Sequence, residues 1–390
     1  MISKLIFPIL VVVLFSDIFI YCHFLRHLRR HRTAASMAWL IQSLIIIIYG
    51  VGLSFVKDFS PRNPSWLYVY LLLLSMWIVP KFVFAGCSLL GWGHCVYHKT
   101  ITNWGNRIGI VAAVLIAFTA LYGYTWGFNT FVVRHEVYYS KDLPKAFNGY
   151  KIVQFSDVHV GTYTPWRAHI LHEAMDSINA QGANMIIFTG DLQNLRPSEV
   201  LPHEASLGSL KAPDGVISIL GNHDYSVYVT PEEEKANHNF DHVLSLEDSL
   251  HWTLLRNENR IIRRGTDSIV VAGMEYEGMP GRCKSYGNLQ KTLRGVNEDS
   301  AFVLMLQHDP GSWHMDIMRN CKAQLTLSGH THGGQIRLFG WSPMSLICSE
   351  CDGMYYDGDR ALNVSSGMGG LVPFRFWCPN EIVVIELRCK

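Results

Sequence analysis

Four long apolar stretches in the first third of the chain constrain its fold more than any other feature. They cover residues 5–21, 37–56, 66–90 and 108–128. Each is near or above the length of about 18 to 20 apolar residues that a helix needs to cross roughly 30 Å of hydrocarbon. A signal peptide would be shorter and polar sequence would follow it, whereas three more stretches follow here. The sequence therefore predicts four transmembrane helices in residues 1–130, in preference to four buried helices of a soluble domain.

Two of these helices have features that complicate the prediction. The first helix could instead act as a signal anchor. The third contains Pro80 and Lys81 and could end early there, because proline has no backbone N–H to donate to the helix. Aromatic side chains near the ends of the stretches are placed as interfacial anchors are; they are Trp66, Tyr68, Trp92, Trp104, Tyr124 and Trp126.

The overall charge hides two different segments. The chain carries 33 Lys and Arg against 32 Asp and Glu, a formal charge of +1. The first 130 residues hold 10 basic and 2 acidic residues, whereas residues 131–390 hold 23 basic and 30 acidic ones. A protein that binds a nucleic-acid polymer usually has a marked basic excess, and a disordered chain has high net charge with low hydrophobicity. Both classes are excluded.

The short loops between the helices predict their orientation. The first loop contains four arginines, Arg26, Arg29, Arg30 and Arg32. The second loop has Lys57 and Arg62 beside Asp58, and the third has Lys99 and Arg107. Because Lys and Arg accumulate on the cytoplasmic side, loops one and three are expected inside. Both termini and the large C-terminal segment are then expected outside the cytoplasm.

The chain has nine cysteines, which could form disulfides or bind zinc. Six of them follow the membrane segment, where an oxidising compartment would permit disulfides. Cys348 and Cys351 could form half of a zinc site, but no second pair with a matching histidine follows. A local disulfide or free thiols are therefore favoured over zinc.

The pattern changes after residues 131–150, which we interpret as a juxtamembrane linker. Residues 167–181 place apolar side chains on one helical face. Short apolar runs alternate with amphipathic stretches, which predicts a layered α/β domain over residues 151–390. The candidate strands are residues 151–155, 185–188, 216–220, 268–272, 302–306, 324–327, 361–364 and 382–387.

Polar residues follow five of the predicted strands directly. Loops at strand ends are where α/β sheets place their ligands, so these groups can converge although they are distant in sequence. The segments are SDVH at 156–159, TGD at 189–191, GNHD at 221–224, QHD at 307–309 and SGHTHGG at 328–334.

These segments supply more metal ligands than a mononuclear site uses. The seven side chains are Asp157, His159, Asp191, Asn222, His308, His330 and His332, with His223 left over. Mixed nitrogen and oxygen ligands suit zinc, iron or manganese. Two ions about 3.5 to 4 Å apart can polarise a phosphoryl group for in-line attack, and Asp191 is the natural shared carboxylate.

With these motifs in family order, the sequence resembles the calcineurin-like metallophosphoesterases, and in particular their membrane-anchored bacterial branch. The trailing segment PFRFWCPNEIVVIEL at 373–387 is also in character. The resemblance covers about the C-terminal two-thirds of the chain and implies a layered β-sheet sandwich flanked by helices. It also implies a phosphoric ester hydrolase with two divalent or trivalent transition-metal ions, Mn, Zn or Fe.

The resemblance also implies roles for individual residues. Asp157, His159 and His332 would hold one metal, Asn222, His308 and His330 the second, and Asp191 would bridge both. His223 would face the phosphate, Asp224 would orient His223, and a metal-bridging hydroxide would attack. The sequence departs from the family at Asn194, where many members have an aspartate, and this change is expected to tune the site without removing a ligand.

Aromatic residues near the motifs suggest the substrate. Trp166 and Trp341, with Phe374, Phe376 and Trp377, could form an apolar rim that admits acyl chains. Arg337 or Arg375, or Arg167, would meet a headgroup phosphate. The expected substrate is a phospholipid or lipid-linked phosphate or pyrophosphate; some relatives cleave a UDP-linked lipid A precursor. The alternatives are a tethered extracytoplasmic nucleotide phosphodiesterase or phosphatase, and a non-catalytic metal-binding receptor or scaffold.

Overall fold

The computed structural model describes residues 2–28, 32–56, 63–278 and 284–390, with side chains from residue 6 onward. The chain divides into two compact units, Met1–Thr125 and Trp126–Lys390. Several residues used in the sequence analysis lie outside the described residues: Arg29, Arg30, Lys57, Asp58, Arg62 and Cys283. The described cysteines are free thiols.

The first unit is helical. Among the described residues, four helical segments are long and apolar enough to cross a membrane: Ile6–His27, Arg32–Ser54, Ser65–His98 and Trp104–Gly127. The helices of this unit are α1 Ile2–His23, α2 Arg32–Ser54, α3 Ser65–Leu73, α4 Val79–His98 and α5 Trp104–Tyr122, with π-helical segments at Leu74–Ile78 and Gly123–Gly127.

The third helical segment does not end at Pro80, which corrects the expectation of an early end. A π-helical segment, Leu74–Ile78, comes directly before Pro80 and joins α3 to α4. Proline occupies the first turn of α4, where the missing N–H disturbs the helix least. Lys81 consequently lies inside helix α4.

Lys81 forms a buried ion pair within the helical unit. Its Nζ lies 3.4 Å from Asp17 Oδ1 and 3.0 Å from Ser43 Oγ. Trp39 Nε1 donates to the same carboxylate oxygen at 3.0 Å. Charged residues in membrane helices usually face the bundle interior and pair with one another, as Asp17 and Lys81 do.

The second unit contains two six-stranded sheets. The first sheet has the order β1–β12–β2–β3–β4–β5, and the second has the order β10–β11–β9–β8–β7–β6. The strands are β1 Phe131–Ser140, β2 Tyr150–Phe155, β3 Met185–Phe188, β4 Val216–Ser218, β5 Thr253–Leu254, β6 Glu258–Arg264, β7 Asp267–Gly273, β8 Phe302–Leu306, β9 Leu325–Ser328, β10 Gly353–Asp357, β11 Arg360–Val364 and β12 Asn380–Cys389.

The two sheets pack face to face around one apolar core. Ile152 and Ile187 from the first sheet join Val271, Leu304 and Leu327 from the second sheet in one buried cluster. Helices cover the outer faces, which gives the layered sandwich that was expected. They are α6 Ala168–Ala180, α7 Glu204–Leu207, α9 Asn239–Ser249, α10 Leu289–Thr292 and α11 Met318–Asn320; a further helix, α8 Pro231–Asn237, precedes α9 and has no buried residue.

Helix α6 confirms the periodicity argument. Its buried residues form the face that the sequence predicted, namely Ile170, Leu171, Ala174, Met175 and Ile178. These side chains pack in the cluster on the outer side of the first sheet, with Val153 and Phe188 among their neighbours.

Residues 131–150 do not form a simple linker. Their first half is strand β1, which pairs in parallel with β12 along its whole length, from Phe131 with Asn380 to Ser140 with Cys389. Charged residues interrupt the apolar residues of this strand, which is why the sequence alone did not predict the strand. Strands β5, β6 and β10 were also missed.

The topology brings the polar segments to one edge of the sandwich. Strands β2, β3 and β4 are parallel neighbours in the first sheet. Strands β8 and β9 are parallel neighbours in the second sheet. The loops that follow these five strands carry all the predicted ligands.

Candidate metal centre

The loops after the strands bring six of the seven predicted ligands into two groups. In one group the ligand atoms of Asp157, His159 and His332 lie within 4.8 Å of one another. In the other group the ligand atoms of Asp191, His308 and His330 also lie within 4.8 Å of one another. A third group, His159, Asp191 and His223, overlaps with both and shows that the two lie side by side. Asn222 directly precedes His223 in this arrangement.

Asp191 is central to the arrangement. Its Oδ2 lies 3.2 Å from His308 Nε2 and 3.5 Å from His159 Nε2. Its Oδ1 accepts the backbone N–H of His223 at 2.8 Å. One carboxylate thus touches a member of each ligand group, as the position of a shared ligand requires.

Backbone strain is concentrated at the same residues. Asp157, His159, Asp191, His330 and His332 all have φ between 45° and 73°, the left-handed region that side chains other than glycine rarely adopt. Each such residue costs on the order of 1–3 kcal/mol and persists only where the surroundings hold it. The hydrogen bonds from Asp157 N to Gly190 O, 2.8 Å, and from His159 N to Asp191 O, 3.1 Å, are part of that support.

Two glycines allow the loops to approach one another closely. A Cβ atom at Gly221 would collide with the Asp191 carboxylate. A Cβ atom at Gly329 would collide with Ser156 Oγ and the Asp157 carboxylate. The glycines beside the predicted ligands are therefore required by packing at these two positions.

Burial keeps most of the imidazoles neutral. It lowers the pKa of His159 to about 3 and also lowers the pKa of His223, His330 and His332. Neutral imidazole is the form that binds metal ions. His308 differs, because burial acts to lower its pKa but the adjacent Asp191 carboxylate outweighs it and raises the pKa to about 10.

The carboxylates respond to the same environment. Burial acts to raise the pKa of Asp191, but nearby imidazoles, His308 first, outweigh it and hold the pKa well below its ordinary value. Burial raises the pKa of Asp157 to about 6. Two buried carboxyl groups thus lie among the imidazoles of the predicted ligands, an environment that favours a bound cation.

Buried polar atoms in the two groups fit metal ions. Within the described residues, His159 Nδ1 and Nε2, His332 Nδ1 and Asn222 Oδ1 are buried and make no hydrogen bond. Buried polar atoms are normally paired, and unpaired ones indicate a missing partner. Because all of these atoms belong to predicted ligands, the residues present suit a dinuclear metal centre.

Two sequence families match the chain. The family described as Calcineurin-like phosphoesterase matches residues 150–334, and the family described as Probable Calcineurin-like phosphoesterase, transmembrane domain, matches residues 3–128. The chain belongs to the calcineurin-like metallophosphoesterase family. It is therefore a metal-dependent phosphoric ester hydrolase and a multi-pass membrane protein, and the alternative of a non-catalytic receptor is disfavoured.

Relatives of this phosphoesterase cover most of its length. The uncharacterized metallophosphoesterase YkuE of Bacillus subtilis is 29% identical over 303 residues, 73% of this chain and 95% of that protein. An uncharacterized metallophosphoesterase of Helicobacter pylori is 28% identical over 336 residues, 84% of each chain. The UDP-2,3-diacylglucosamine pyrophosphatase LpxG of Chlamydia muridarum is 27% identical over 301 residues, 63% of this chain and 86% of that protein.

Within the phosphoesterase domain, Asp224 does not contact the imidazole of His223 in the way that the resemblance implied. Its carboxylate accepts backbone N–H groups of Asp191 at 2.8 Å, Leu192 at 2.9 Å and Gly221 at 2.9 Å. The imidazole is held instead by the carbonyl oxygen of Asn194, 2.5 Å from Nδ1. Asp224 therefore fixes the loop that carries Asp191.

Arg375 cannot meet a substrate headgroup, which corrects its assignment to substrate binding. The side chain is fully buried. Its guanidinium donates to the carbonyl oxygens of Ser366 at 2.7 Å, Gly367 at 3.1 Å and Gly369 at 2.5 Å. This loop in turn covers the first ligand segment, since Gly369 N donates to Asp157 O at 2.8 Å.

The other predicted substrate residues of the phosphoesterase differ in exposure. Trp166 and Trp341 are exposed, and the guanidinium of Arg167 lies 4.3 Å from the Trp166 ring centre. Arg337 is partly exposed and forms an ion pair with Asp352. Phe376 is buried and belongs to the interior, so it is not part of an exposed rim.

Histidines outside the motifs do not join the described metal groups. His314, six residues after the predicted ligand His308, lies in the π-helical segment Trp313–Ile317, and its Nε2 contacts Glu350 Oε1 at 3.0 Å. Sequence reasoning missed two residues beside the site: Tyr228, whose ring lies tilted against that of His223, and Gln193, which donates to the His223 carbonyl at 3.0 Å. Only their closeness to the GNHD and GD motifs could have suggested them.

Proposed function

We propose that this phosphoesterase hydrolyses a phosphate ester or pyrophosphate of a lipid or lipid-linked substrate. The supporting observation is an exposed apolar loop, residues 338–347, directly after the GHTHGGQ segment. Phe339 is 94% exposed, Leu346 76% and Ile347 78%. Exposed clusters of large apolar side chains are unusual on soluble domains and mark membrane, ligand or partner contacts.

The loop is anchored to the segment that carries His330 and His332. Ser342 Oγ donates to Gly333 O at 2.9 Å, and Arg337 N donates to Phe376 O at 2.9 Å. The ring of Phe339 contacts that of Trp377 with centres 5.7 Å apart. An acyl chain held by this apolar loop would therefore place its phosphate within reach of the ligand loops.

The covalent connection to the membrane segment favours the same substrate class. The last candidate span ends at Gly127, and strand β1 begins at Phe131. So short a connection keeps the phosphoesterase domain near lipid. The name of the relative LpxG, a UDP-2,3-diacylglucosamine pyrophosphatase, also describes a diacylated substrate.

In this proposal the ligands divide as the resemblance implied. Asp157, His159 and His332 would hold one ion, Asn222, His308 and His330 the other, and Asp191 both. The ions would polarise the phosphoryl group and lower the pKa of a water molecule. The identity of the metal stays a prediction among Mn, Zn and Fe.

His223 would assist the leaving group. Its Nδ1 is occupied by the carbonyl oxygen of Asn194, so Nε2 is the nitrogen available to a phosphate. Burial lowers the pKa of the free imidazole, but a phosphate beside Nε2 would favour the protonated form, which can donate to the leaving oxygen as a general acid. The rings of His159 and Tyr228, with centres 4.7 Å and 4.3 Å from that of His223, limit its movement.

The test compares two substrates in loop variants. Phe339→Ser with Ile347→Ser should lower kcat/KM for a phospholipid or lipid pyrophosphate in mixed micelles by about tenfold or more, because burying one such side chain contributes roughly 1.5–3 kcal/mol. Hydrolysis of a soluble chromogenic phosphodiester should stay unchanged. Ile261→Ser, an exposed apolar residue on strand β6, is the matched control.

Other outcomes would favour the tethered nucleotide phosphodiesterase or phosphatase. If loop variants leave lipid hydrolysis unchanged and the wild type prefers soluble nucleotides, the lipid proposal is wrong.

We also propose that the catalytic domain is extracytoplasmic, from the arginines of the first loop. An alkaline phosphatase fusion at Lys390 should be active, and an active fusion of a cytoplasmic fluorescent reporter there would contradict this orientation.

A further inference from the structure

Tyr228 contacts both a predicted metal ligand and the imidazole that faces the phosphate. Asn222 Nδ2 donates to the Tyr228 hydroxyl at 2.9 Å. The Tyr228 ring lies against the His223 ring, with centres 4.3 Å apart and planes inclined by 31°. Asn222 and His223 are adjacent in the chain, so one side chain touches two neighbouring functional groups.

In the structure the Nδ2 end of the Asn222 amide faces the Tyr228 hydroxyl. An amide can present either oxygen or nitrogen, and only the oxygen binds a metal ion. Because Nδ2 is engaged by Tyr228, Oδ1 is the end left for a ligand. Oδ1 is buried and makes no hydrogen bond among the described residues, which fits this orientation.

The backbone explains how Tyr228 reaches these groups. The segment after Asn222 turns back on itself through bonds from Ser226 N to His223 O, 3.1 Å, and from Val229 N to Ser226 O, 3.3 Å. Ser226 has φ of 54°, and its hydroxyl accepts from Gln193 Nε2 at 3.0 Å. The turn is thus tied to the loop that carries Asp191, which returns Tyr228 to the site.

We infer that Tyr228 is a positioning residue that orients the amide of Asn222 toward the second metal and restrains the ring of His223. This inference rests on the proposed role of Asn222 as a ligand. Residues that orient metal ligands typically change metal affinity by about 10- to 100-fold when they are removed. The hydroxyl orients the ligand Asn222, and the ring restrains the imidazole of His223.

The two parts of the side chain can be tested separately in the full-length protein in detergent. Tyr228→Phe removes the hydroxyl alone and should weaken the binding of one of two manganese ions by about tenfold or more. Metal analysis should then give about one ion per chain at limiting manganese, and electron paramagnetic resonance should change from a coupled to a mononuclear signal. Excess manganese should restore kcat.

Tyr228→Leu also removes the ring. It should show the same loss of metal, but excess manganese should leave kcat reduced, because His223 is no longer restrained. The matched control is Tyr225→Phe, which removes a hydroxyl that donates to Glu275 Oε1 at 3.2 Å. That variant should bind both ions as the wild type does.

Asn222→Ala separates the failure of this inference from that of the ligand assignment. If Asn222→Ala binds both ions normally, the assignment of Asn222 as a ligand fails. If Asn222→Ala loses one ion while Tyr228→Phe retains both, the role of Tyr228 is wrong and the assignment stands. Equal loss in Tyr225→Phe and Tyr228→Phe would also overturn the inference.

Discussion

The Nδ1 atom of His223 lies 2.5 Å from the carbonyl oxygen of Asn194. Position 194 is where this chain has an asparagine and many family members have an aspartate. The contact is made by the main chain, so it does not require either side chain. Glu199 holds the main chain at position 194 in place, since its Oε2 accepts the N–H of Asn194 at 2.7 Å and that of Leu195 at 3.2 Å.

We therefore expect Asn194→Ala to retain hydrolysis within a few-fold of wild type. His223→Ala should lower kcat by about 100-fold or more, the size of contribution that a positioned general acid makes. Steady-state rates on a soluble chromogenic phosphodiester would measure both. A loss in Asn194→Ala as large as that in His223→Ala would show that the side chain at 194 is needed for catalysis.

The buried guanidinium of Arg375 predicts a stability effect. Arg375→Leu removes the guanidinium donor from the carbonyl oxygens of Ser366, Gly369 and Cys378, at about 1–3 kcal/mol each, whereas Gly367 O keeps the N–H of Glu381 at 3.0 Å. The midpoint of thermal unfolding should fall by roughly 6 °C or more, since 1 kcal/mol corresponds to about 2–4 °C in a domain of this size. Arg337→Leu is the control, because Arg337 is partly exposed and pairs with Asp352.

If Arg337→Leu were the more damaging variant, the structural role assigned to Arg375 would be wrong. A selective increase in KM for lipid substrates in folded Arg375→Leu would restore the original assignment to headgroup binding. Differential scanning fluorimetry and substrate titration on the same preparations distinguish the two results.

The contrast between Arg375 and the metal motifs shows what the sequence could predict. Asp157, Asp191 and His330 each follow a short apolar run, so their convergence followed from the rule that ligands lie at strand ends. A charged residue such as Arg375 is usually exposed, and nothing local shows that a later loop will surround it with carbonyl groups. Its burial depends on contacts that only the folded chain makes.

Strand β1 was missed for a related reason. It contains Arg134 and Glu136, which interrupt the apolar pattern expected of a strand. In the structure Arg134 Nε lies 3.1 Å from Glu381 Oε2 on β12, so the charge is neutralised by the strand beside it. A partner 247 positions later in the chain cannot be inferred from local periodicity.

Glu247 predicts a pH dependence of stability. Burial raises its pKa to about 8, from an ordinary value near 4.5, and Ser218 Oγ donates to the carboxyl group at 2.7 Å. Since the folded state holds this proton more tightly than the unfolded state, stability falls as the pH rises from about 4.5 through 8 and the full cost applies above 8. Below pH 4.5 the carboxyl is protonated in both states and costs nothing.

Glu247→Gln removes this titration and retains an acceptor for Ser218. The variant should unfold at about the same temperature as wild type at pH 4 and at a higher temperature at pH 9, by at least about 2–4 °C if the difference exceeds 1 kcal/mol. Glu173→Gln, on the exposed face of α6, is the control and should show no such gain. A variant less stable than wild type at pH 9 would contradict the prediction.

The ion pair between Asp17 and Lys81 gives the last prediction, for the helical unit. Removing one partner, as in Asp17→Leu, leaves a buried charge and should cost about 3–5 kcal/mol, whereas replacing both by leucine is often neutral. The double variant Asp17→Leu with Lys81→Leu should therefore recover most of the folded yield lost in the single variant, measured by size-exclusion chromatography and thermal unfolding in detergent. If the double variant folds but loses hydrolysis, the two charges are needed for function as well as for packing. If it remains as unstable as Asp17→Leu, the loss of stability arises from lost contacts with Trp39 and Ser43, and the electrostatic explanation is wrong.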